Sequence, residues 1–197
     1  GERFRFPPRR VLPKPLQEPH PPLWCAATSP ETHGAVGESG LGLLSFTIGV
    51  SPEDLGQRIA LYRDGVARAK PIGKFVNGRA ATFTMVHCAP TNAEAREDAA
   101  ASFEWYARRG VEQIRTVGEW QAERKQEYAS YAYTRPLVGV DFGGMSFDFL
   151  QSSGACIVGD PDTCIETAKR YEAAGCDLLL CLVQPWNIPH AKVMQSI

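Results

Sequence analysis

Three hydroxyl side chains stand where a short apolar run meets the start of a helix. Thr28 ends the run LWCAAT (23–28), and Ser29 and Thr32 follow it three residues apart. Ser29 is a preferred N-cap residue, and Pro30 suits the first helical position. The first N–H groups of a helix have no partner within it and favour negative charge, so Thr28, Ser29 and Thr32 form a candidate phosphate site. The competing interpretation is that Ser29 is simply an N-cap, and the residues alone leave both open.

Other residues with chemical potential follow the remaining apolar runs. His87 ends AATFTMVH (80–87) and is a candidate base, although histidine needs a partner for that role and a structural role is more common. Gln184 and Trp186 follow DLLLCLV (177–183), where they would line a pocket or belong to the core. An aromatic group, predicted as a lid over an apolar substrate or as an anchor, consists of Trp120, Tyr128, Tyr131 and Tyr133.

The elements that would position these residues alternate along the chain. Strands are predicted at 23–28, 41–46, 80–87 and 177–183. Helices are predicted to begin after Ser29, Ser51, Asn92, Asp160 and Pro189. This alternation indicates parallel strands joined by helical crossovers, whose ligands lie at the carboxyl ends of the strands. The pattern fits an open doubly wound sheet or part of a (β/α)₈ barrel, and a complete barrel needs eight units and about 250 residues.

Two stretches depart from the alternation. The first 30 residues hold eight of the fifteen prolines, so residues 1–22 are predicted to form an extended connector. The helix after Asn92 is predicted to end at Gly110. Residues 111–158 then form a long insertion, of which only the stretch 119–133 is predicted to be helical. Connections this long are usually functional or disordered. Residues 23–197 are expected to be one α/β unit that carries this insertion.

Composition excludes several classes of protein. The chain has 197 residues with 21 Lys and Arg against 22 Asp and Glu, so a nucleic-acid surface over the whole chain is not expected. No apolar run approaches the roughly 20 residues of a membrane span. The six cysteines form no C-x-x-C pair and are expected to be free thiols in a reducing, cytoplasmic setting. No metal site, P-loop, nucleophile elbow or dinucleotide fingerprint is expected.

Three longer segments carry a family resemblance. They are VLPKPLQEPHPPLWCAATSPE (11–31), GESGLGLLSF (37–46) and GDPDTCIETAKRYEAAGCDLLLCLV (159–183). They resemble the bacterial luciferase-like flavin monooxygenases. The first segment resembles the connector and fifth strand of that family, the second its helix-to-strand passage, and the third its last helix and eighth strand. The resemblance implies an α/β fold, a (β/α)₈ TIM barrel of the luciferase-like type. Of this barrel the chain would hold only the C-terminal half, strands five to eight, with the long insertion.

The resemblance also implies a function. Members of the family bind reduced FMN or, in some branches, the deazaflavin F420, and Thr28, Ser29 and Thr32 match the residues that hold the flavin phosphate. The implied reaction uses reduced FMN and O₂ to oxygenate a small organic substrate. His87 is a candidate flavin-ring contact or catalytic residue. A flavin reductase would supply the cofactor, the assembly would be a homo-oligomer, and this half alone would be inactive. The alternatives are an F420-dependent oxidoreductase and a non-catalytic barrel subunit of the same family.

Overall fold

The computed structural model describes residues 4–46, 48–125 and 145–197. Within these ranges, strands and helices alternate, except that one helix follows another in the stretch predicted to be an insertion. In chain order the elements are β1 (Trp24–Ala27), α1 (Pro30–Glu38), β2 (Gly42–Phe46), α2 (Pro52–Ala67), β3 (Ala80–Cys88), α3 (Asn92–Glu123), α4 (Phe147–Ser153), β4 (Cys156–Gly159), α5 (Pro161–Ala173), β5 (Leu178–Leu182) and α6 (His190–Ser196). All four strands predicted from the apolar runs are present.

The strands form one parallel sheet in which β3 is the central member. The order is β1-β2-β3-β4, and β5 pairs with β3 as well. Because β2 and β5 both pair with residues 81–83 of β3, they lie along its opposite edges. β4 pairs with the last residues of β3, from Met85 to Cys88. All pairings are parallel, so the carboxyl ends of the strands meet at one edge, and the prediction of an α/β fold with a parallel sheet is confirmed.

Helices α1, α2 and α5 pack on one face of the sheet, and α3, α4 and α6 pack on the other face at β3 and β4. One core, against α1, α2 and α5, includes Leu43, Leu55, Ile59, Tyr62, Ala80 and Tyr171. The other core, against α3, α4 and α6, includes Met85, Phe103, Phe147, Leu150, Val158 and Ile188. In β4, Ile157 belongs to the first core, and Cys156 and Val158 belong to the second, as side-chain alternation in a strand requires. β4 is therefore apolar on both sides.

The predicted end of the third helix is wrong. α3 continues through Gly110 to Glu123 and is capped at its start by Thr91 rather than Asn92. Beyond Gly110 the helix still buries one stripe, which includes Val111 and Gln121. A Cβ atom on Gly110 would lie 3.2 Å from the Ile48 side chain, so this glycine serves a close approach within the helix and not a helix end.

The stretch predicted to be irregular also contains regular structure. α4 begins after the N-cap Ser146 and ends at Gly154, which has a φ of +75°. β4 follows and is buried along its whole length, so the described residues form five strands and not four. Residues 126–144, with Tyr128, Tyr131 and Tyr133, lie outside the described residues.

The proline-rich connector contains neither helix nor strand between Phe4 and Leu23. Its end is attached to the body of the chain, because His20 stacks on Phe75 at 4.8 Å and its Nε2 accepts the N–H of Lys74 at 2.8 Å. The division into connector and α/β unit stays a prediction. In the described ranges, no helix combines the length and apolarity needed to cross a bilayer.

Candidate functional site

The turn between β1 and α1 brings the predicted hydroxyl residues together. Ser29 has extended backbone angles, and its Oγ accepts the N–H of Thr32 at 3.3 Å, so it is the N-cap of α1. The Oγ of Ser29 lies 2.9 Å from the Oγ1 of Thr32. Thr28 precedes them at the end of β1 and is half-buried, whereas Thr32 is exposed. This turn, residues 28–32, lies at the carboxyl edge of the sheet, where parallel α/β folds bind ligands.

Hydrogen-bond donors in this turn converge on a negative charge. The pKa of the exposed Glu31 carboxyl is lowered by its own backbone N–H and by the Ser29 hydroxyl. In the contact between the Ser29 and Thr32 hydroxyls, either oxygen could be the donor. The Glu31 carboxylate thus takes the place that an anion would occupy at the start of a helix.

A cation from the next helix joins the turn. Arg58 of α2 is half-buried, and its Nη1 donates to the carbonyl oxygen of Thr28 at 3.1 Å. Arg58 and Pro30 line an open cleft of about 400 Å³ beside the start of α1. A guanidinium at this position adds a full positive charge to the partial charge of the helix N-terminus. Sequence reasoning missed Arg58, which lies 30 residues after Thr28 and is brought to it only by the packing of α2 on α1.

His33 is buried behind the turn and connects it to β2 by two hydrogen bonds. Its Nδ1 lies 2.7 Å from the carbonyl oxygen of Ser29, and its Nε2 lies 2.9 Å from Ser45 Oγ. A carbonyl oxygen only accepts, so the proton is on Nδ1, and Nε2 accepts from the Ser45 hydroxyl. Burial lowers the pKa of His33, and the nearby charge of Arg58 lowers it further. The neutral imidazole therefore links the cap to β2, and the four-residue spacing from Ser29 to His33 is the signal that could have revealed it.

The stability of the chain is expected to fall on acidification because of His33. Its folded-state pKa lies below the ordinary value of 6.5, so the unfolded chain binds the proton more readily. Above pH 6.5 the neutral histidine contributes fully to the free energy of unfolding, and this contribution is lost as the pH falls below 6.5. Urea unfolding at pH 7.5 and pH 5.5 should show a larger loss of unfolding free energy in wild type than in His33→Gln. Equal losses in the two proteins would contradict this role.

The catalytic candidate His87 lies on the other face of the sheet. It is 1% exposed, and its Nε2 lies 3.4 Å from Asp98 Oδ2 on α3. Asp98 also pairs with Lys192 of α6 at 3.2 Å. The Nδ1 of His87 has no hydrogen-bond partner among the residues that the structure describes. His87 thus has the carboxylate partner that a base requires, but the structure does not bring it to the turn that holds Ser29.

The remaining predicted residues divide between anchoring and surface positions. The Gln184 side-chain amide donates to the carbonyl oxygen of Ile188 at 3.0 Å and fixes the loop after β5. Trp186 is half-exposed and lines an open cleft with Trp105 of α3. Trp120 lies near the end of α3, with the Arg124 guanidinium 5.0 Å from its ring centre. The six cysteines are free thiols, of which Cys156 is buried and Cys181 is exposed.

Solved structures share this fold at low sequence identity. The monooxygenase RslO1 from Streptomyces bottropensis superposes with a TM-score of 0.61 at 20% identity, over 100% of this chain and 51% of that one. The oxygenating constituent of 3,6-diketocamphane monooxygenase from Pseudomonas putida, solved with FMN, superposes with a TM-score of 0.54 at 19% identity. The superposition covers 82% of this chain and 42% of that one. The coenzyme F420 dependent tetrahydromethanopterin reductase from Methanopyrus kandleri superposes with a TM-score of 0.50 at 18% identity, over 89% of this chain and 48% of that one.

These likenesses establish the fold, and the chain spans about half the length of these structures. No curated protein matches the chain significantly. The model of the luciferase-like monooxygenase family matches residues 1–178, which is most of the chain. The motifs around Thr28–Glu31 and Gly159–Val183, the parallel α/β fold and this match agree. The chain therefore belongs to the luciferase-like monooxygenase family.

Proposed function

We propose that this chain is part of a flavin-dependent monooxygenase that uses reduced FMN and O₂ to oxygenate a small organic substrate. The family supports an oxidoreductase, and one structural relative was solved with FMN. The observation that carries the proposal is the turn of residues 28–32, where the hydroxyls of Ser29 and Thr32 lie 2.9 Å apart at the start of α1 and Arg58 donates to the carbonyl oxygen of Thr28. A flavin reductase as the source of reduced cofactor, a homo-oligomeric assembly and a cytoplasmic setting belong to the same proposal.

The fold part of the proposal is that the sheet supplies strands five to eight of a (β/α)₈ barrel. In the described residues β1 pairs only with β2, and β5 pairs only with β3, so each leaves one edge free. Leu178 and Leu180 of β5 are 42% and 45% exposed. Exposed apolar side chains on an edge strand favour a sheet that continues. The match to about half of the related structures supports the same arrangement.

The residues of the turn would hold the flavin phosphate in a defined way. The Ser29 hydroxyl and the backbone N–H of Glu31 would turn from the Glu31 carboxylate to a phosphate oxygen, and the Thr32 hydroxyl would keep Ser29 Oγ in place. Arg58 would supply the full positive charge. The hydroxyl of Thr28, which makes no hydrogen bond in the described part of the chain, lies at the same turn. The bound flavin supplies the oxygen chemistry, and this part of the chain binds and orients it.

An F420-dependent oxidoreductase is the second candidate. It is favoured by the structural likeness to the F420 dependent tetrahydromethanopterin reductase. Such an enzyme would transfer a hydride and would not incorporate oxygen. Both cofactors would place a phosphate at the turn, so the geometry of residues 28–32 does not separate them.

Anaerobic titration of the whole protein with reduced FMN and with reduced F420 tests the choice. We expect FMN to bind at least about tenfold more tightly, a difference of about 1.4 kcal/mol. Tighter binding of F420 would favour the second candidate. Failure to bind either cofactor would contradict both.

Removing the charge of Glu31 is expected to raise the affinity for FMN severalfold. Its carboxylate takes the donors that a phosphate would use, and it repels a second negative charge, so Glu31→Gln removes both obstacles. Glu38→Gln is the matched control, since Glu38 lies at the other end of α1 and pairs with Arg68. FMN fluorescence titration at low salt measures the effect. An affinity equal to or below that of wild type would contradict the prediction.

A further inference from the structure

Two tryptophans form an exposed aromatic surface at the carboxyl edge of the sheet. Trp105 of α3 and Trp186 of the loop after β5 stack with ring centres 5.3 Å apart and planes 16° from parallel. They are 36% and 50% exposed, although tryptophan is highly buried on average. Both line a cleft of about 410 Å³, a volume within the range of small-molecule sites. The cleft thus offers a flat apolar surface to a ligand.

The loop that carries Trp186 is fixed in place. The backbone N–H of Asn187 donates to the Ser102 hydroxyl of α3 at 3.1 Å. The Gln184 side chain closes the loop onto the carbonyl of Ile188, whose side chain is 2% exposed and packs in the core. The stacked pair is therefore formed without a ligand, and a ligand would not have to order it.

Two arginines line the cleft, and Arg108 is the more weakly paired of the two. Arg109 is held by Glu112 at 2.8 Å, and its guanidinium lies 6.0 Å from the Trp105 ring centre. Arg108, in contrast, lies 3.6 Å from Glu104 Oε2, beyond hydrogen-bond distance. The other oxygen of Glu104 accepts the backbone N–H of Phe147 at 2.8 Å. Arg108 therefore retains donors for a negatively charged group.

We propose that this cleft binds a planar aromatic molecule that bears a carboxylate or phenolate oxygen. Its ring would lie on the accessible face of the Trp186 indole, and its charged oxygen would meet Arg108. An aliphatic acid would gain the charge contact without the stacking, and a neutral aromatic would gain only the stacking.

If the proposed function holds, this ligand would be the substrate. β5 lies three strand spacings from β1, roughly 14 Å. The loop of Trp186 and the turn of residues 28–32 therefore both follow carboxyl ends of strands in this sheet, whereas α3, which completes the cleft, packs on the face opposite α1 and α2. The substrate role rests on the proposed function, whereas binding of the aromatic acid does not.

Isothermal titration calorimetry of the whole protein with 2-naphthoate tests the proposal. Trp186→Ala should weaken binding by at least about tenfold, because loss of one stacking partner has an effect of that size. Trp186→Phe should retain most of the affinity. Trp120→Ala is the matched control, since Trp120 lies on the same helix, is 40% exposed and has its own arginine over the ring, and it should leave the affinity unchanged.

A second pair of measurements separates charge from stacking. Arg108→Gln should weaken binding of 2-naphthoate and leave that of neutral 2-naphthalenemethanol unchanged. Cyclohexanecarboxylate should bind far more weakly than 2-naphthoate. The proposal is overturned if 2-naphthoate does not bind, if Trp186→Ala binds it as tightly as wild type, or if the cyclohexane acid binds equally well.

Binding measurements on further variants distinguish the aromatic cleft from the proposed flavin site. Alanine at Ser29 and Thr32 should leave the affinity for 2-naphthoate unchanged. Trp186-dependent binding of 2-naphthoate by a protein that binds neither flavin would support the cleft while refuting the proposed function.

Discussion

A Gly65→Ala variant is expected to be destabilised by about 3 kcal/mol, because α1 and α2 pack backbone against backbone at this residue. A Cβ atom on Gly65 would overlap the carbonyl oxygen of Gly34 and lie 3.0 Å from the backbone N of Glu38. Gly37 is placed reciprocally, with a Cβ position 2.8 Å from the backbone N of Val66. Backbone atoms cannot rotate away, so the helices must separate and loosen the core around Tyr62.

Urea unfolding followed by circular dichroism measures this effect. Gly34→Ala is the matched control, since its added Cβ would meet only the Leu61 carbonyl, at an ordinary contact distance of 3.8 Å. Alanine is about 1 kcal/mol more favourable than glycine inside a helix, so the control should be neutral or more stable than wild type. Equal stability of the two variants would show that the helices do not approach at Gly65 as described.

A Ser29→Ala, Thr32→Ala double variant is expected to bind FMN about 100-fold more weakly. Each hydrogen bond to a charged group contributes about 1.5–3 kcal/mol, and 1.4 kcal/mol corresponds to a factor of ten. The variant loses the Ser29 donor and the Thr32 hydroxyl that holds Ser29 Oγ at 2.9 Å. Fluorescence titration of the whole protein with FMN measures the loss.

The double variant also loses a helix cap, so its control must lose one as well. Thr91 caps α3 by accepting the N–H of Glu94 at 3.2 Å, on an element that does not reach the turn. Thr91→Ala should lower stability by about 1 kcal/mol, as cap loss does, and leave FMN binding unchanged. An FMN affinity in the double variant within twofold of wild type would refute the role of Ser29 and Thr32.

Local signals in the sequence predict much of the fold. Ser29, Ser51 and Asp160 each precede a proline and an acidic residue, and each is the N-cap of a helix in the structure. Four apolar runs become four strands of one parallel sheet. These predictions succeed because caps and buried strands depend on adjacent residues.

Features that depend on packing could not be predicted in this way. The end of α3 is one, since Gly110 marks contact with Ile48 and not a helix terminus. β4 is another, because its four residues form a strand by pairing with β3 and by packing their side chains into two cores.

The candidate site shows the same division. Thr28, Ser29 and Thr32 are found by spacing within one turn. Arg58 reaches Thr28 only because α2 packs on α1, and His33 becomes a support of the cap only because β2 places Ser45 beside it. The lowered pKa of Glu31 likewise depends on its side chain lying beside its own backbone N–H and the Ser29 hydroxyl.

The central claim is that the turn of residues 28–32 holds the phosphate of a flavin. Riboflavin lacks that phosphate and otherwise matches FMN, so comparing their affinities isolates it. Wild type should bind FMN more than about 100-fold more tightly than riboflavin, and the Ser29→Ala, Thr32→Ala variant should keep only the small part of this preference that Arg58 and the backbone N–H of Glu31 supply. Equal affinities in wild type, or a preference for FMN that survives intact in the variant, would contradict the claim.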